Sequence, residues 1–130
     1  MKSTIIQQPP LRLITVKAKS FPEGIRAAWQ EIETKRKIKG RKAYGVIREG
    51  EYFAVLVSDG DLEERVTGLP VIEVPGGAYA RYKLEDWQSR VTEIGPLFAQ
   101  MASEREVDPS RPALEFYRSF TELHLLLPMK

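Results

Sequence analysis

The chain has 130 residues, 42% hydrophobic and 29% charged, which suits one globular domain with a real apolar core. A net charge of only +2 gives no strong field to favour nucleic acid or an anionic membrane surface, and no apolar run is long enough to cross a bilayer as a helix. Cysteine is absent, which excludes disulfides, thiolate nucleophiles and zinc fingers and fits a reducing compartment.

Met1 to Pro10 carries one Lys and no apolar stretch, so it does not read as a signal peptide, and a cytoplasmic location is expected. Leu11 to Ala18, rich in Leu, Ile, Val and Thr, predicts a strand. Ser20-Phe21-Pro22-Glu23 has the Ser-x-x-Glu form of a capping box and predicts a helix start. Ile25, Ala28, Trp29 and Ile32 then form one helical stripe, cations gather from Lys35 onward, and Gly40 suits a C-cap. Ala43 to Arg48 and Tyr52 to Val57 predict a hairpin around Glu49-Gly50-Glu51, with a loop at Ser58 to Asp61. Val71 to Val74 and Ala78 to Leu84 predict another strand pair around Pro75-Gly76-Gly77. A second helix is expected from Glu85-Asp86, with Trp87, Val91, Ile94, Phe98 and Met101 on one stripe and a kink or restart at Gly95-Pro96. After a loop from Asp108 to Pro112, strands Ala113 to Arg118 and Glu122 to Leu127 finish the chain, and Pro128 acts as a stop.

The predicted order is strand, helix, strand, strand, then an extra strand and the same four elements again. At an offset of about 70 residues, Ala43 to Arg48 falls on Ala113 to Arg118. The expected fold is α+β: one domain over residues 1–130, with duplicated βαββ units at roughly 11–60 and 70–128. They would share an antiparallel sheet with two helices on one face and a ligand cavity between the halves.

Glu115 stands inside the apolar run Ala113-Leu114-Glu115-Phe116-Tyr117. Alternation leaves two readings: it faces water from a half-exposed strand, or it is buried and needs a partner. Tyr117 lies two residues on and shares its face. In a dry cavity a carboxylate beside a phenol can hold a cation by charge and π contact, and without the cation its pKa rises into the range of a general acid or base.

The chain resembles the GyrI-like domain family, the effector-binding domains of AraC-type and MerR-type regulators. The residues that carry the resemblance are Lys42-Ala43-Tyr44-Gly45-Val46, Val74-Pro75-Gly76-Gly77-Ala78-Tyr79, the helix opening at Trp87, Arg111 to Tyr117, and Glu122 to Pro128. The resemblance implies a cavity that binds hydrophobic, often aromatic and cationic compounds, with a glutamate at the place of Glu115 facing the ligand's positive charge. It implies two alternatives as well. One is a hydrolase that opens strained cyclopropane rings, with Glu115 as the catalytic residue; the other is a protein-interaction module such as a gyrase inhibitor. The segment between Ala18 and Pro22 is shorter than in many members, so a smaller or more open cavity is expected. No helix-turn-helix segment accompanies the domain, so a complete regulator is not expected.

Tyr44, Tyr52, Tyr79, Tyr82, Trp29 and Trp87 are candidate walls, although Trp29 and Trp87 also suit the cores of their helices. Glu73 is a second carboxylate in an apolar strand, with edge exposure as the plainer explanation. Six of the eight residues from Lys35 to Lys42 are basic, a phosphate-contacting patch or a solvated helix end. His124, the only histidine, suits packing or surface better than a metal site. Asp59-Gly60-Asp61 is too short for a calcium loop, and Pro75-Gly76-Gly77 lacks the Lys of a phosphate loop. No metal or other cofactor is expected, and no direct nucleic-acid contact.

Overall fold

The computed structural model describes residues 2–130. Eight strands, β1 (Thr4–Gln8), β2 (Leu11–Lys17), β3 (Ala43–Arg48), β4 (Glu51–Val57), β5 (Val71–Val74), β6 (Gly77–Glu85), β7 (Ala113–Tyr117) and β8 (Glu122–Pro128), make one antiparallel sheet. Three helices complete the α+β fold: α1 (Ile25–Lys35), α2 (Asp61–Thr67) and α3 (Ile94–Glu104).

The strand order β1-β6-β8-β7-β3-β4-β2-β5 cannot lie flat. β1 and β2 stand six places apart in that order, yet only Pro9 and Pro10 join them. β5 and β6 are also six places apart, joined only by Pro75 and Gly76. Six spacings are roughly 29 Å in a flat sheet, far beyond the reach of about 11 Å for such a link. The sheet therefore curls until its two ends meet. The two links cross there, and a Cβ on Gly76 would lie 2.8 Å from the Gln8 carbonyl oxygen and 2.9 Å from the Pro10 ring.

Curling gives the sheet an inner and an outer face. Leu13 and Val74 from one end, Ile6 and Tyr79 from the other, and Val46 and Leu114 from the centre pack into one inner cluster. Ladder partners share a face, so the opposite parity faces outward. There α1 sets Ala28 and Ile32 on Ile14, Val16, Ala54 and Leu56, and α3 sets Met101 on Ala80, Leu84, Leu123 and Leu125. Both helices thus cover the outer face, in two separate clusters flanking the central β3–β7 ladder.

Several elements depart from expectation. β1 was not foreseen in the first ten residues, and α2 replaces the end of the predicted loop at Asp61. The Ser20–Glu23 segment forms turns instead of a cap: Gly24 N–H donates to the Ser20 carbonyl at 3.1 Å, and α1 begins only at Ile25. α1 ends at Lys35, with Arg36 already extended, so Gly40 caps no helix. The second helix does not start at Glu85. Two 3-10 turns, Trp87–Ser89 and Val91–Glu93, precede α3, where Gly95 and Pro96 fall in the first turn, a position Pro tolerates.

Candidate functional site

Between the two outer clusters lies the β3–β7 ladder, where Gly45 pairs with Glu115. Gly45 leaves room above the sheet, and the Tyr52 ring lies across it: a Cβ on Gly45 would fall 2.5 Å from the Tyr52 hydroxyl. Tyr52 belongs to the α1 cluster and Tyr117 packs against the α3 cluster, and their hydroxyls meet at 2.7 Å. Tyr117 in turn donates to Glu115 Oε1 at 2.7 Å, and Trp29 Nε1 donates to the Tyr52 hydroxyl at 3.0 Å. One chain of hydrogen bonds therefore runs from α1 through β4 and β7 to a carboxylate on the midline.

The aromatic rings enclose this chain. Trp29 meets Tyr117 edge-on at 5.3 Å between centroids, and Trp87 meets the same ring at 5.4 Å. Trp87 is fixed by its Nε1, which donates to the Ser119 carbonyl at 3.1 Å. Phe21 lies 5.7 Å from Tyr52 and is 40% exposed, so it forms the solvent side of the enclosure.

Glu115 is only 7% exposed, and no ion pair reaches it among the described residues. Burial pushes its carboxyl up, and the Tyr117 hydrogen bond pulls it part of the way back. The Tyr52 and Tyr117 hydroxyls are pushed up as well, by burial first and by the Glu115 charge second. All three groups are thus biased against carrying negative charge. An aromatic cage around an unpaired carboxylate is suited to a flat or globular organic cation, whose charge meets Glu115 and whose rings meet Trp and Tyr faces.

The structure brings together Glu115, Tyr117, Tyr52, Trp29 and Trp87 among the residues singled out from sequence. It separates Tyr44 and Tyr79. Tyr44 pairs with Phe116, so it faces inward, stacked on Phe116 at 4.8 Å. Tyr79 also faces inward and donates to the Pro112 carbonyl at 3.0 Å, under the Arg111 guanidinium at 4.9 Å. Both lie across the sheet from Glu115 because ladder parity puts them there. Tyr82 shares the outer face with Glu115, two ladders away through Leu125. Phe21 escaped the sequence reading because it sits in a turn, where no periodicity marks it.

Other candidates lie elsewhere. Glu73 is 71% exposed on edge strand β5 and pairs with Arg12 at 2.6 Å. His124 is buried on the inner face, against Phe116 and the Glu122 carboxylate. No cluster of three or more His, Asp or Glu is placed to hold a metal among the described residues. No helix among the described residues is long and apolar enough to cross a membrane.

No protein-family model matches the chain, and no curated protein matches it in sequence. Solved structures do match its fold. An integron cassette protein from the mobile metagenome of Vibrio cholerae superposes with a TM-score of 0.72 at 14% identity, covering 98% of this chain and 95% of that one. SAV2435, solved bound to tetraphenylphosphonium, has a TM-score of 0.68 at 17% identity, covering 100% and 94%. The C-terminal domain of EcmrR has a TM-score of 0.66 at 9% identity, covering 99% and 97%. At these identities the likeness is one of fold.

Proposed function

We propose that this chain is a small-molecule-binding domain that takes up hydrophobic aromatic cations at Glu115, as a drug- or effector-binding or sequestering protein of the GyrI-like type. The observation that carries the proposal is a buried carboxylate without a cationic partner, held by Tyr117 inside a cage of Tyr52, Trp29, Trp87 and Phe21. The same fold in SAV2435 is occupied by tetraphenylphosphonium, a lipophilic aromatic cation, which supports the ligand class. The rings pack on one another, so a ligand enters by parting them, with Phe21 and Trp87 at the solvent side.

The strand order also supports a duplicated βαββ origin. Around the β3–β7 ladder it reads β3-β4-β2 on one side and β7-β8-β6 on the other. Gly45 and Glu115 are ladder partners and also equivalents at the sequence offset of 70, so a pseudo-dyad would pass between them. One half would then supply the space and the other the charge.

Titration with tetraphenylphosphonium, followed by tryptophan emission, tests the proposal. Saturable quenching is expected, weakened about tenfold or more in Glu115→Gln. A folded protein that ignores the cation, or a mutant that binds it equally well, would refute it.

A hydrolytic variant of the same site has one observation in its favour: the carboxyl of Glu115 is raised by burial, as a general acid or base requires. A hydrolase from Listeria innocua shares the fold with a TM-score of 0.57. Release of product over many turnovers, lost in Glu115→Gln, separates this variant from binding alone.

A further inference from the structure

The basic run from Lys35 to Lys42 takes no part in the Glu115 site, and its structure divides it into two kinds of residue. Arg36 and Arg41 are tied down. Arg41 sends two bonds to Glu63, at 2.7 and 2.8 Å, and a third to the Val57 carbonyl at 2.7 Å, while Arg36 Nε reaches Glu63 at 3.0 Å. Glu63 is 7% exposed and also accepts the Asp59 N–H at 3.0 Å. This knot fixes the end of α1, the 36–42 loop and α2 to one another.

The lysines are left over. Lys35, Lys37 and Lys39 are exposed, and none makes an ion pair among the described residues. They line one cleft of about 690 Å³ together with Leu62 of α2. Leu62 is 68% exposed, and Val66, one turn further along the same face, is 64% exposed. α2 turns its polar residues Glu63 and Thr67 inward and leaves these two aliphatics outside, the reverse of an ordinary surface helix. The cleft is thus lined by the fixed arginine–glutamate knot, the unpaired lysines and Leu62, and Val66 extends the apolar patch outside it.

We infer that this cleft is a docking surface for an acidic, amphipathic segment of a partner protein, whose carboxylates meet Lys35, Lys37 and Lys39 and whose apolar side chains cover Leu62 and Val66. Charge complementarity sets the sign of the partner, and the apolar ridge sets its class. A nucleic acid would gain nothing from the exposed aliphatics Leu62 and Val66. Desolvating the aliphatic pair holds the partner, and the lysines steer and register it.

The test is selection of a random 12-residue display library on the immobilised full chain. Bound clones are counter-selected on two variants, Leu62→Ser with Val66→Ser, and Lys35→Glu with Lys37→Glu and Lys39→Glu. All five positions are exposed, and unchanged tryptophan emission and melting verify that both variants fold. The expected survivors combine acidic and apolar residues and lose at least tenfold in affinity to each variant. Failure to recover any clone that depends on the cleft, or survivors without acidic residues, would overturn the inference. So would a labelled oligothymidylate that binds through the lysines and is indifferent to Leu62 and Val66.

Discussion

Gly45 sits directly across the β3–β7 ladder from Glu115, and the side chain it lacks is the space occupied by the Tyr52 hydroxyl. Small residue and buried charge are thereby one device: the glycine lets a tyrosine from β4 reach over β3 and join the hydrogen-bond chain that ends on the carboxylate. Gly45→Ala pushes a methyl into a ring that is fully buried and has nowhere to go. We expect a loss of about 1–3 kcal/mol in stability from overpacking. Cation binding should weaken too, as Tyr52 parts from Tyr117. Thermal melting and the tetraphenylphosphonium titration measure the two effects.

Glu115→Gln should stabilise the empty protein at neutral pH. Burial raises the folded-state pKa of Glu115 above its unfolded value, so the folded state binds the proton more tightly. Below the ordinary carboxylate range both states are protonated and the charge costs nothing. As pH rises through that range the unfolded chain ionises first, and the penalty grows until the folded carboxyl ionises too. The melting advantage of the mutant should therefore be absent near pH 3 and appear above about pH 5. Cation affinity of the wild type should run the same way, rising with pH, whereas that of the mutant stays flat.

Tyr117→Phe removes the hydrogen bond that partly offsets the burial of Glu115. The Glu115 carboxyl should move still higher. The pH midpoint for cation binding should shift upward relative to wild type, while the aromatic contacts with Trp29 and Trp87 survive. A binding isotherm at each of several pH values reads this shift.

Glu63 behaves oppositely. The Arg41 hydrogen bonds hold its carboxyl down at about 2, against the opposing pull of burial. Its folded pKa lies below the unfolded value, so its contribution is fully present above the ordinary carboxylate range and is lost as pH falls toward 2. Glu63→Gln removes the carboxylate that Arg41 and Arg36 share, leaving Arg41 only Asp59 at 3.9 Å, and should cost about 3 kcal/mol at neutral pH. The difference in melting from wild type should close as the pH drops below about 4.

Much of the candidate site was legible because Glu115 and Tyr117 stand two apart on a strand, a spacing that fixes a shared face without any knowledge of the fold. Trp29 and Trp87 were legible as members of helical stripes, although Trp87 lies in a 3-10 turn. Parity within a strand says nothing about parity between strands, and so Tyr44 and Tyr79 could not be sorted from Tyr52 until the ladder pairings were known. α2 was hidden because its buried positions are the polar Glu63 and Thr67, and the burial of Glu63 rests on Arg36 and Arg41, distant in sequence. Gly68 in the left-handed conformation and Pro70 after it were the available signs of a helix end. β1 is short and half polar, and it gains its place only by pairing with β6, 69 to 77 residues on.

The crossed links at Pro9-Pro10 and Pro75-Gly76 make each half of the molecule dependent on the other. β1 precedes the first half but pairs with β6 of the second, and β5 precedes the second half but pairs with β2 of the first. A chain cut between Gly68 and Val71 would yield two fragments, each missing the edge strand that shields its sheet and each carrying a loose strand that fits the other. Such fragments are built to reassemble as a pair, and a ligand bridging the midline at Glu115 would be a natural clasp for them.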